Sequence, residues 1–275
     1  MEVKIYIPHL ALQPFVLNIS TIHVLLPKGI SEVVTPYPPT PFQSLIFYGD
    51  HPISMAKAGR TDFVLQPSTV LVGPQFSRVN IKVHSQLSAI RVDFVPGGMY
   101  RMFHLPMQEL FDEGFDAEVL LGSAIRDIHQ ELLNSTSLAE GREIVERFLM
   151  NQLQKISSVL PFDNALKTLF DQHGNLSIEK TASLSCLSIK QFERICKERI
   201  GMNPKSYARI LKFSRAYRLR ESFPDRSWAD ICYEAGYYDQ MHMIRDFKLF
   251  AGVNPSIIAE ELIHTSIKMQ KDLPH

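Results

Sequence analysis

Arginine and lysine recur at matching positions in two segments of the chain, residues 188–204 and 239–255, which lie fifty-one residues apart. An arginine can read guanine through two hydrogen bonds, whereas a lysine more often holds a phosphate. Two segments that each carry one such arginine and one such lysine predict recognition of a polyanion, duplex DNA above all. The paired residues are Arg194 with Arg245 and Lys197 with Lys248.

Both segments carry the signals of a short, capped helix. Ser188 and Asp239 can each accept a hydrogen bond from an unpaired N–H group of the first helical turn. Gly201 and Gly252, each followed shortly by Asn-Pro, predict the end of one helix and the start of another. Apolar residues at helical spacing predict a buried face on each helix. These residues are Phe192, Ile195 and Cys196 in the first copy and Met243, Phe247 and Phe250 in the second.

A helix that precedes each segment would complete a helix-turn-helix unit. Ser177 predicts the start of the first such helix, and residues 184–187 predict the turn. Ser227 and Gly236 play the same parts in the second copy. The second helix of such a unit enters the major groove of DNA. The residues expected on its outer faces are Lys190, Gln191, Arg194 and Lys197 in the first unit and Gln240, His242 and Arg245 in the second.

A long helix from Pro204 to about Ser222 should join the two units. About eighteen residues at 1.5 Å each give a rod of about 27 Å, comparable with one turn of duplex DNA at about 34 Å. Residues 177–250 carry 14 basic and 9 acidic residues, against 12 and 15 in residues 1–160, which favours a polyanion partner. Some basic residues of the rod are expected to face phosphates and others to pair with Glu221 or Asp230: Arg209, Lys212, Arg215, Arg218 and Arg220.

The first hundred residues have the pattern of a β-rich domain. Short segments rich in β-branched and aromatic residues alternate with turn sequences. This pattern predicts an antiparallel barrel or sandwich, which can hold a small ligand in its mouth. The predicted strands are Val3–Ile7, Thr21–Leu26, Gln43–Tyr48, Thr69–Val72, Val79–Val83 and Leu87–Phe94.

The middle of the chain changes to helical periodicity. Apolar spacing predicts one helix over Ala117–Leu133 and a second after Ser137, packed as an antiparallel hairpin. One face would pack on the β-rich domain, and the remaining apolar surface would either pair with a second copy of the chain or pack within the monomer. Ser157-Ser158 predicts a linker. We therefore expect domains at residues 1–156 and 161–265.

Composition narrows the class of protein. A hydrophobic content of 45% is sufficient for real cores, and no run of eighteen apolar residues is present to span a membrane. The N-terminal sequence lacks the features of a signal peptide. The three cysteines, Cys186, Cys196 and Cys232, show no paired spacing, which suits reduced thiols. These observations predict a cytoplasmic protein.

Motifs for catalysis or metal binding are missing from the sequence of the N-terminal half. Its histidines form no HxH or HxxxH set, and it contains no nucleophile motif or phosphate-binding loop. The glycine pair Gly97-Gly98 lacks the lysine and hydroxyl residue of a phosphate loop and reads as a turn between a strand and a helix. The sequence therefore predicts a scaffold without a metal, a cofactor or an enzyme activity.

The C-terminal hundred residues resemble the DNA-binding domain of the AraC/XylS family of transcriptional regulators. The resemblance implies two helix-turn-helix units joined by a long helix, each with a recognition helix in the major groove. The N-terminal half resembles, more loosely, the cupin-like sensor domains of many members, but it lacks their metal-binding motif. The matching residues are Ala182, Ser188, Phe192, the Gly201-x-x-Pro204-x-x-Tyr207 run, Ile231, the run from Ala235 to Gln240, Phe247 with Lys248, and Gly252-x-x-Pro255.

The family pattern also implies which residues touch DNA. By position it points to Lys190, Glu193 and Arg194 in the first unit and to Gln240, Met241, His242 and Arg245 in the second. The chain departs from the pattern at Cys196, where the family usually has Phe, and at Met241-His242-Met243, which replaces Ser-Tyr-Phe. The bases read therefore cannot be transferred from relatives. The complete set of expected DNA-binding residues is Ser188, Lys190, Gln191, Glu193, Arg194, Lys197, Tyr238, Gln240, Met241, His242, Arg245 and Lys248.

The sequence as a whole favours a two-domain α+β regulator of transcription. An antiparallel β-barrel or cupin-like sandwich with a helical hairpin would sense a small-molecule effector, and an all-α domain would bind two successive major grooves of double-stranded DNA. The resemblance implies that the effector changes contacts with DNA, a homodimer partner or RNA polymerase. Two alternatives stay open. One is an effector-independent regulator whose N-terminal domain only makes dimer or protein contacts, and the less favoured one is a cupin-like enzyme fused to a DNA-binding domain.

Overall fold

The computed structural model describes residues 1–153, 159–264 and 267 of the chain. We call residues 1–153 the N-terminal region and residues 159–264 the C-terminal region. The predicted linker at Ser157-Ser158 and the predicted domain ends at residues 156 and 265 lie outside the described residues.

The N-terminal region is built on two antiparallel sheets. Its strands are β1 (Glu2–Tyr6), β2 (Val16–Leu25), β3 (Glu32–Tyr37), β4 (Ser44–Tyr48), β5 (Ser54–Lys57), β6 (Val64–Leu65), β7 (Thr69–Val72), β8 (Val79–His84), β9 (Gln86–Phe94) and β10 (Gly114–Asp116). The first sheet has the order β1-β2-β9-β4-β7-β10, and the second has the order β3-β8-β5-β6. The sequence predicts an antiparallel barrel or a sandwich, and the two sheets form a sandwich.

Alternating side chains give the first sheet two different faces. On β9, Ile90 and Val92 pack into an apolar layer against the helices of the N-terminal region. Leu87 and Ala89 point the other way, into a layer between the two sheets. Arg91 follows Ala89 on that inner face, because successive side chains of a strand alternate between faces. The sheet thus places a charged residue inside the sandwich.

All six predicted strands are present, with ends that differ by up to five residues, and four more strands were missed. Thr69–Val72 matches its prediction, whereas β2 begins at Val16 rather than Thr21. Strand β3 contains Pro36, which we read as part of a turn. It lies at the edge of its sheet, where proline is tolerated. The other missed strands, β5, β6 and β10, have four residues or fewer and are too short to show a clear alternation.

The helices of the N-terminal region follow β9. The single helix predicted over Ala117–Leu133 is wrong, because Gly122 adopts a φ of +84° and separates two helices. Ser137 caps the next helix as predicted. An ion pair between Glu131 and Arg147 joins the last two helices into the predicted hairpin. The bounds are α1 (Gly98–Phe103), a short 3₁₀ helix (Met107–Leu110), α2 (Ala117–Leu121), α3 (Ser123–Leu133) and α4 (Leu138–Gln152).

The C-terminal region is helical and contains the two predicted helix-turn-helix units, α6–α7 and α9–α10, joined by the long helix α8. The helices are α5 (Pro161–Asp171), α6 (Ile178–Leu184), α7 (Ile189–Ile200), α8 (Pro204–Ser222), α9 (Trp228–Glu234), α10 (Gln240–Phe250) and α11 (Pro255–His264). The predicted two-domain α+β fold class is therefore confirmed. None of the helices in the described ranges combines the length and hydropathy that a membrane span requires.

The end of the described chain returns to the N-terminal region. Arg78 forms two hydrogen bonds, of 2.8 and 3.0 Å, with the carboxylate of Glu261 in α11. The backbone carbonyl of Ile267 accepts a hydrogen bond of 3.0 Å from the Thr35 hydroxyl. The Ile267 side chain is buried in the layer between the two sheets. Helix α11 and Ile267 thus each contact the N-terminal region.

Candidate nucleic-acid interface

The first helix-turn-helix unit has a capped start and a tight turn. Ser177 caps α6 by accepting a hydrogen bond of 3.2 Å from the Lys180 backbone N–H. The turn passes through Cys186, whose φ of 57° is left-handed, and the N–H of Leu187 closes it on the carbonyl of Ala182. The predicted turn over residues 184–187 therefore lies where the two helices meet.

Helix α7 separates an apolar inner face from a polar outer face. Phe192 and Cys196 are buried, and the Phe192 ring lies 5.3 Å from that of Phe162 in α5. Ser188 and the side chain of Gln191 satisfy each other's backbone N–H groups in a capping box, which fixes the start of the helix. All the predicted DNA-binding residues of this unit are exposed: Ser188, Lys190, Gln191, Glu193, Arg194 and Lys197.

The second unit repeats this plan. Ser227 caps α9, and Gly236 makes the turn with a φ of +83°, where an added Cβ would lie 2.2 Å from the Asn175 side chain. Asp239 caps α10 by accepting a hydrogen bond of 2.8 Å from the His242 N–H. All the predicted DNA-binding residues of this unit are exposed as well: Tyr238, Gln240, Met241, His242, Arg245 and Lys248.

The start of α10 carries a negative charge close to its outer face. The backbone N–H of His242 donates to Asp239 and lowers the pKa of this carboxyl group, so Asp239 is ionised at neutral pH. The His242 ring lies against the same carboxylate, with 2.9 Å between Nδ1 and Oδ2. Asp239 therefore orients one of the predicted DNA-binding side chains.

Three of the five cations predicted along α8, Lys212, Arg218 and Arg220, are held inside the C-terminal region and do not face outward. The helix spans nineteen residues, about 28 Å, but it runs through the core and buries most of its surface. Lys212 donates a hydrogen bond of 2.9 Å to the Gly236 carbonyl, and burial lowers its pKa. Arg220 lies over the Trp228 ring. Of the two predicted acidic partners, Asp230 accepts its described side-chain hydrogen bond from Ser227, at the start of α9.

Arg218 is the least expected of these cations. Its side chain is only 3% exposed, and its Nε and Nη1 atoms have no hydrogen-bond partner in the described ranges. Burial, followed by the nearby charge of Arg215, lowers the pKa of Arg218 to about 10. The group still carries its charge at neutral pH, inside the protein.

A polar clamp between α8 and α10 was missed by sequence reasoning. The Arg209 guanidinium donates hydrogen bonds of 2.9 and 2.6 Å to Asp246, and the Tyr237 hydroxyl donates one of 3.1 Å to the same carboxylate. The available signal was an acidic residue on the inner face of α10, at the position that Ile195 occupies in the first copy.

The C-terminal end of α7 packs against the N-terminal region. The Tyr100 hydroxyl donates a hydrogen bond of 2.6 Å to Glu198, which raises the pKa of Tyr100. Gln43 donates to the backbone carbonyls of Arg199 and Ile200, each at 3.4 Å. The first recognition helix is therefore fixed at one end by residues of the N-terminal region.

A cavity of about 120 Å³, open to solvent at one side, lies between the two sheets. Half of its 26 lining residues are aliphatic or methionine, and an apolar lining with a few polar groups is usual for a small-molecule site. In the described part of the chain, no three His, Cys, Asp or Glu side chains converge where they could hold a metal ion.

Comparison with protein families gives two partial matches. A family described as "Helix-turn-helix domain" matches residues 181–260, which include most of α6 and all of α7 to α10. A second family, described as "Domain of unknown function (DUF6597)", matches residues 4–116, which include most of both sheets. No curated protein matches the chain.

Several solved structures of ToxT from Vibrio cholerae are similar in outline. A variant without ligand is 12% identical, with 89% of this chain and 97% of ToxT covered and a TM-score of 0.46. A structure of ToxT bound to an unsaturated fatty acid is 11% identical, with 89% and 100% covered and a TM-score of 0.45. TM-scores below 0.5 do not support an inference about ligands or mechanism.

Proposed function

We propose that this chain, as a DNA-binding regulator of the AraC/XylS family, reads DNA with two recognition helices under the control of a small molecule in its cavity. The helix-turn-helix match and the two exposed outer faces support DNA binding. The division into domains at residues 1–156 and 161–265 belongs to the same proposal.

The arrangement of α7 and α10 is the observation that carries this proposal. Each helix buries its apolar face and exposes every residue that the sequence assigns to DNA. A recognition helix contacts base edges mainly through its N-terminal residues. We assign Arg194 and Arg245 to base reading, and Lys197 and Lys248, one turn further along, to phosphates.

The other exposed residues complete the two surfaces. Glu193 and Gln240 can each bind the edge of a base, since a carboxylate accepts from cytosine and an amide pairs with adenine. Ser188 and Tyr238 flank the helix starts, where backbone phosphates pass. The remaining residues that we place near base edges are Lys190, Gln191, Met241 and His242.

Selection of bound DNA from a random pool tests the DNA-binding proposal. One chain with two recognition helices should select two short motifs about one helical turn apart. Recovery of a single short motif would contradict reading by both helices. Recovery of no enriched sequence would contradict sequence-specific binding altogether.

Alanine variants test the assignment of individual residues. Replacing Arg194 or Arg245 should cost about 1–3 kcal/mol on the selected DNA and relax the preference at one base position in the corresponding motif. Replacing Lys197 or Lys248 is the matched control, because loss of a phosphate contact should weaken binding to all sequences and lower the salt dependence. Fluorescence anisotropy on selected and random DNA measures both effects. An equal loss on both DNAs for Arg194→Ala would exclude it from base reading.

The contacts between the two regions supply a route for control by a ligand. Val79 and Ile81 line the cavity and also belong to the apolar layer that holds Ile267. A molecule that fills the cavity would change the packing around Ile267, and with it the position of α11. Affinity for the selected DNA should then differ with and without ligand. An unchanged affinity in the presence of a bound ligand would favour the effector-independent regulator.

Self-association and contact with RNA polymerase are further parts of the proposal. On the helical hairpin and the helix before it, the apolar side chains of Leu133 and Val119 are exposed, which favours pairing of two copies through this face. Sedimentation of the full chain with and without DNA tests this pairing. We propose no catalytic role for either region.

A further inference from the structure

The inner face of the first sheet carries a polar cluster at one side of the apolar cavity. Neighbouring strands bring its members together, since Ser20 lies opposite Arg91 in the register of β2 and β9, and Ser44 lies opposite Asp93 in that of β4 and β9. Asn18 of β2 also pairs with Asp93. Such a cluster within an apolar layer is costly unless its groups are hydrogen-bonded.

Asp93 is the centre of this cluster, and its carboxylate accepts three hydrogen bonds from neighbouring side chains. Its fully buried carboxylate accepts hydrogen bonds from Ser44 at 2.6 Å and from Arg91 Nε at 2.7 Å. The Asn18 amide nitrogen lies 3.4 Å from its second oxygen. Arg91 Nη1 donates to the Tyr37 hydroxyl of the opposite sheet at 2.5 Å. The charge of Arg91 is therefore already neutralised.

Three hydrogen-bonding groups of the first sheet that line the cavity are left without partners among the described residues. Because the carboxylate of Asp93 can only accept, the Asn18 amide turns its nitrogen towards it, and the Asn18 oxygen is unpaired and buried. Arg91 Nη2 and the Tyr48 hydroxyl also make no hydrogen bond to a described residue. Burial raises the pKa of Tyr48, so the phenol keeps its proton and can donate. The first sheet thus offers the cavity two donors and one acceptor.

The cavity has no cationic side chain free to balance an added negative charge. Its two cationic side chains in the described ranges are Arg91, paired with Asp93, and Lys57, which is 2.6 Å from Glu113 at the other side of the cavity. The remaining acid, Asp112, accepts hydrogen bonds from the Phe76 and Ser77 segment. A buried anion without a counter-ion is strongly disfavoured.

We propose that the cavity binds an uncharged, mostly apolar molecule that carries a hydroxyl group, with Asn18, Tyr48 and Arg91 as its polar contacts. Arg91 lies between Asn18 and Tyr48 in the register of the sheet. A hydroxyl group beside Arg91 Nη2 can accept from this atom and, on one side or the other, accept from the Tyr48 phenol or donate its proton to the Asn18 oxygen. The aliphatic lining side chains hold the rest of the molecule. This inference rests on the proposed function, because it names the class of ligand for the same cavity.

A matched series of ten-carbon probes tests the ligand class on the full chain. The probes are decan-1-ol, its methyl ether and decanoate, with binding followed by calorimetric titration and thermal shift at pH 8. Decan-1-ol should bind at least tenfold more tightly than decanoate, about 1.4 kcal/mol. It should also bind more tightly than the ether, which cannot donate to Asn18. Tighter binding of decanoate would overturn the proposal and point to the buried charge of Arg218.

Variants test the contacts without disturbing the sandwich. Arg91 bridges the two sheets, so its replacement would test folding as much as binding. Tyr48→Phe keeps the ring and should weaken decan-1-ol binding about three- to tenfold. Asn18→Leu should remove the preference for the alcohol over the ether. Tyr233→Phe, at an exposed position on α9, is the matched control and should change nothing. A preference that survives in both cavity variants would overturn the assigned contacts.

DNA binding of the same preparations separates this inference from the proposed function. If the chain binds its selected DNA but none of the three probes, the ligand class is wrong and DNA reading stands. If decan-1-ol binds as expected but no DNA is selected, the cavity assignment stands and the regulatory proposal fails.

Discussion

The two helix-turn-helix units share one plan but are held by different neighbours. In the first unit, polar contacts at the end of α7 lead out of the C-terminal region, from Glu198 to Tyr100 of α1. In the second unit, the polar contacts of α10 stay within the C-terminal region, from Asp246 to Arg209 of α8 and to Tyr237. Helix α10 also touches the N-terminal region, through the rings of Phe250 and Phe76, whose centres lie 5.2 Å apart. A movement of the N-terminal region should therefore reach the first recognition helix through polar contacts and the second through an apolar contact.

The cores of the two units also differ at equivalent positions. Phe247 is fully buried, with ring centres 4.9 Å from Phe213 and 5.4 Å from Trp228. Its counterpart in the first unit is Cys196, which is equally buried but much smaller. Burial raises the pKa of the Cys196 thiol, so this residue acts as a small apolar side chain rather than a reactive thiolate. The second unit therefore relies more on one large side chain.

Truncation to alanine at these two positions should give the largest difference in stability loss between the two units. Phe247→Ala should lower the free energy of unfolding by about 3–5 kcal/mol, because a large ring is lost from a packed site. Cys196→Ala should cost about 1 kcal/mol, close to the average for a substitution. Urea denaturation followed by circular dichroism measures both losses. Equal losses would show that the packing of the two units does not differ in energy.

Much of this helical architecture could be predicted because its signals are local. The caps at Ser177, Ser188 and Asp239 and the proline at the start of α8 each depend on residues within one turn. The break at Gly122 shows the limit. A glycine inside an apolar helical pattern is compatible with a continuous helix, and only the packing of α2 and α3 decides against it.

The Asp246 clamp provides the second test of the comparison. Asp246→Ala leaves Arg209 and Tyr237 without their partner and should cost about 2–3 kcal/mol, less than a fully buried pair, since the Arg209 side chain is 40% exposed. The equivalent change in the first unit, Ile195→Ala, removes a half-buried apolar group and should cost about 1 kcal/mol. Asp225→Ala, at an exposed position, is the control. If Asp246→Ala cost no more than this control, the clamp would not stabilise the second unit.

Long-range polar contacts set the limit for predicting the candidate sites. The exposed residues of α7 and α10 follow from helical spacing, since the apolar face fixes which side chains point outward. The partners of Arg91 and of Arg209 cannot be predicted from local spacing, because Tyr37 and Asp246 lie fifty-four and thirty-seven residues away in the chain. Strand register and helix crossing bring these groups together. The same reason explains why Lys212, Arg218 and Arg220 of α8 were wrongly placed on an outer face.

The contact between Tyr100 and Glu198 offers the smallest effect and the most direct test of the difference between the units. Tyr100→Phe removes one partly buried hydrogen bond, which should cost about 0.5–1 kcal/mol. If the Tyr100–Glu198 hydrogen bond holds α7 in its DNA-binding position, removing this bond should weaken binding to the selected DNA about two- to fivefold. The decrease in affinity should appear on DNA that keeps the motif of the first unit and should vanish when that motif is scrambled. Anisotropy with DNAs scrambled in either motif measures this. A rise in affinity would mean that the contact holds α7 away from its DNA-bound position, whereas the same change on both scrambled DNAs would remove the distinction between the two units.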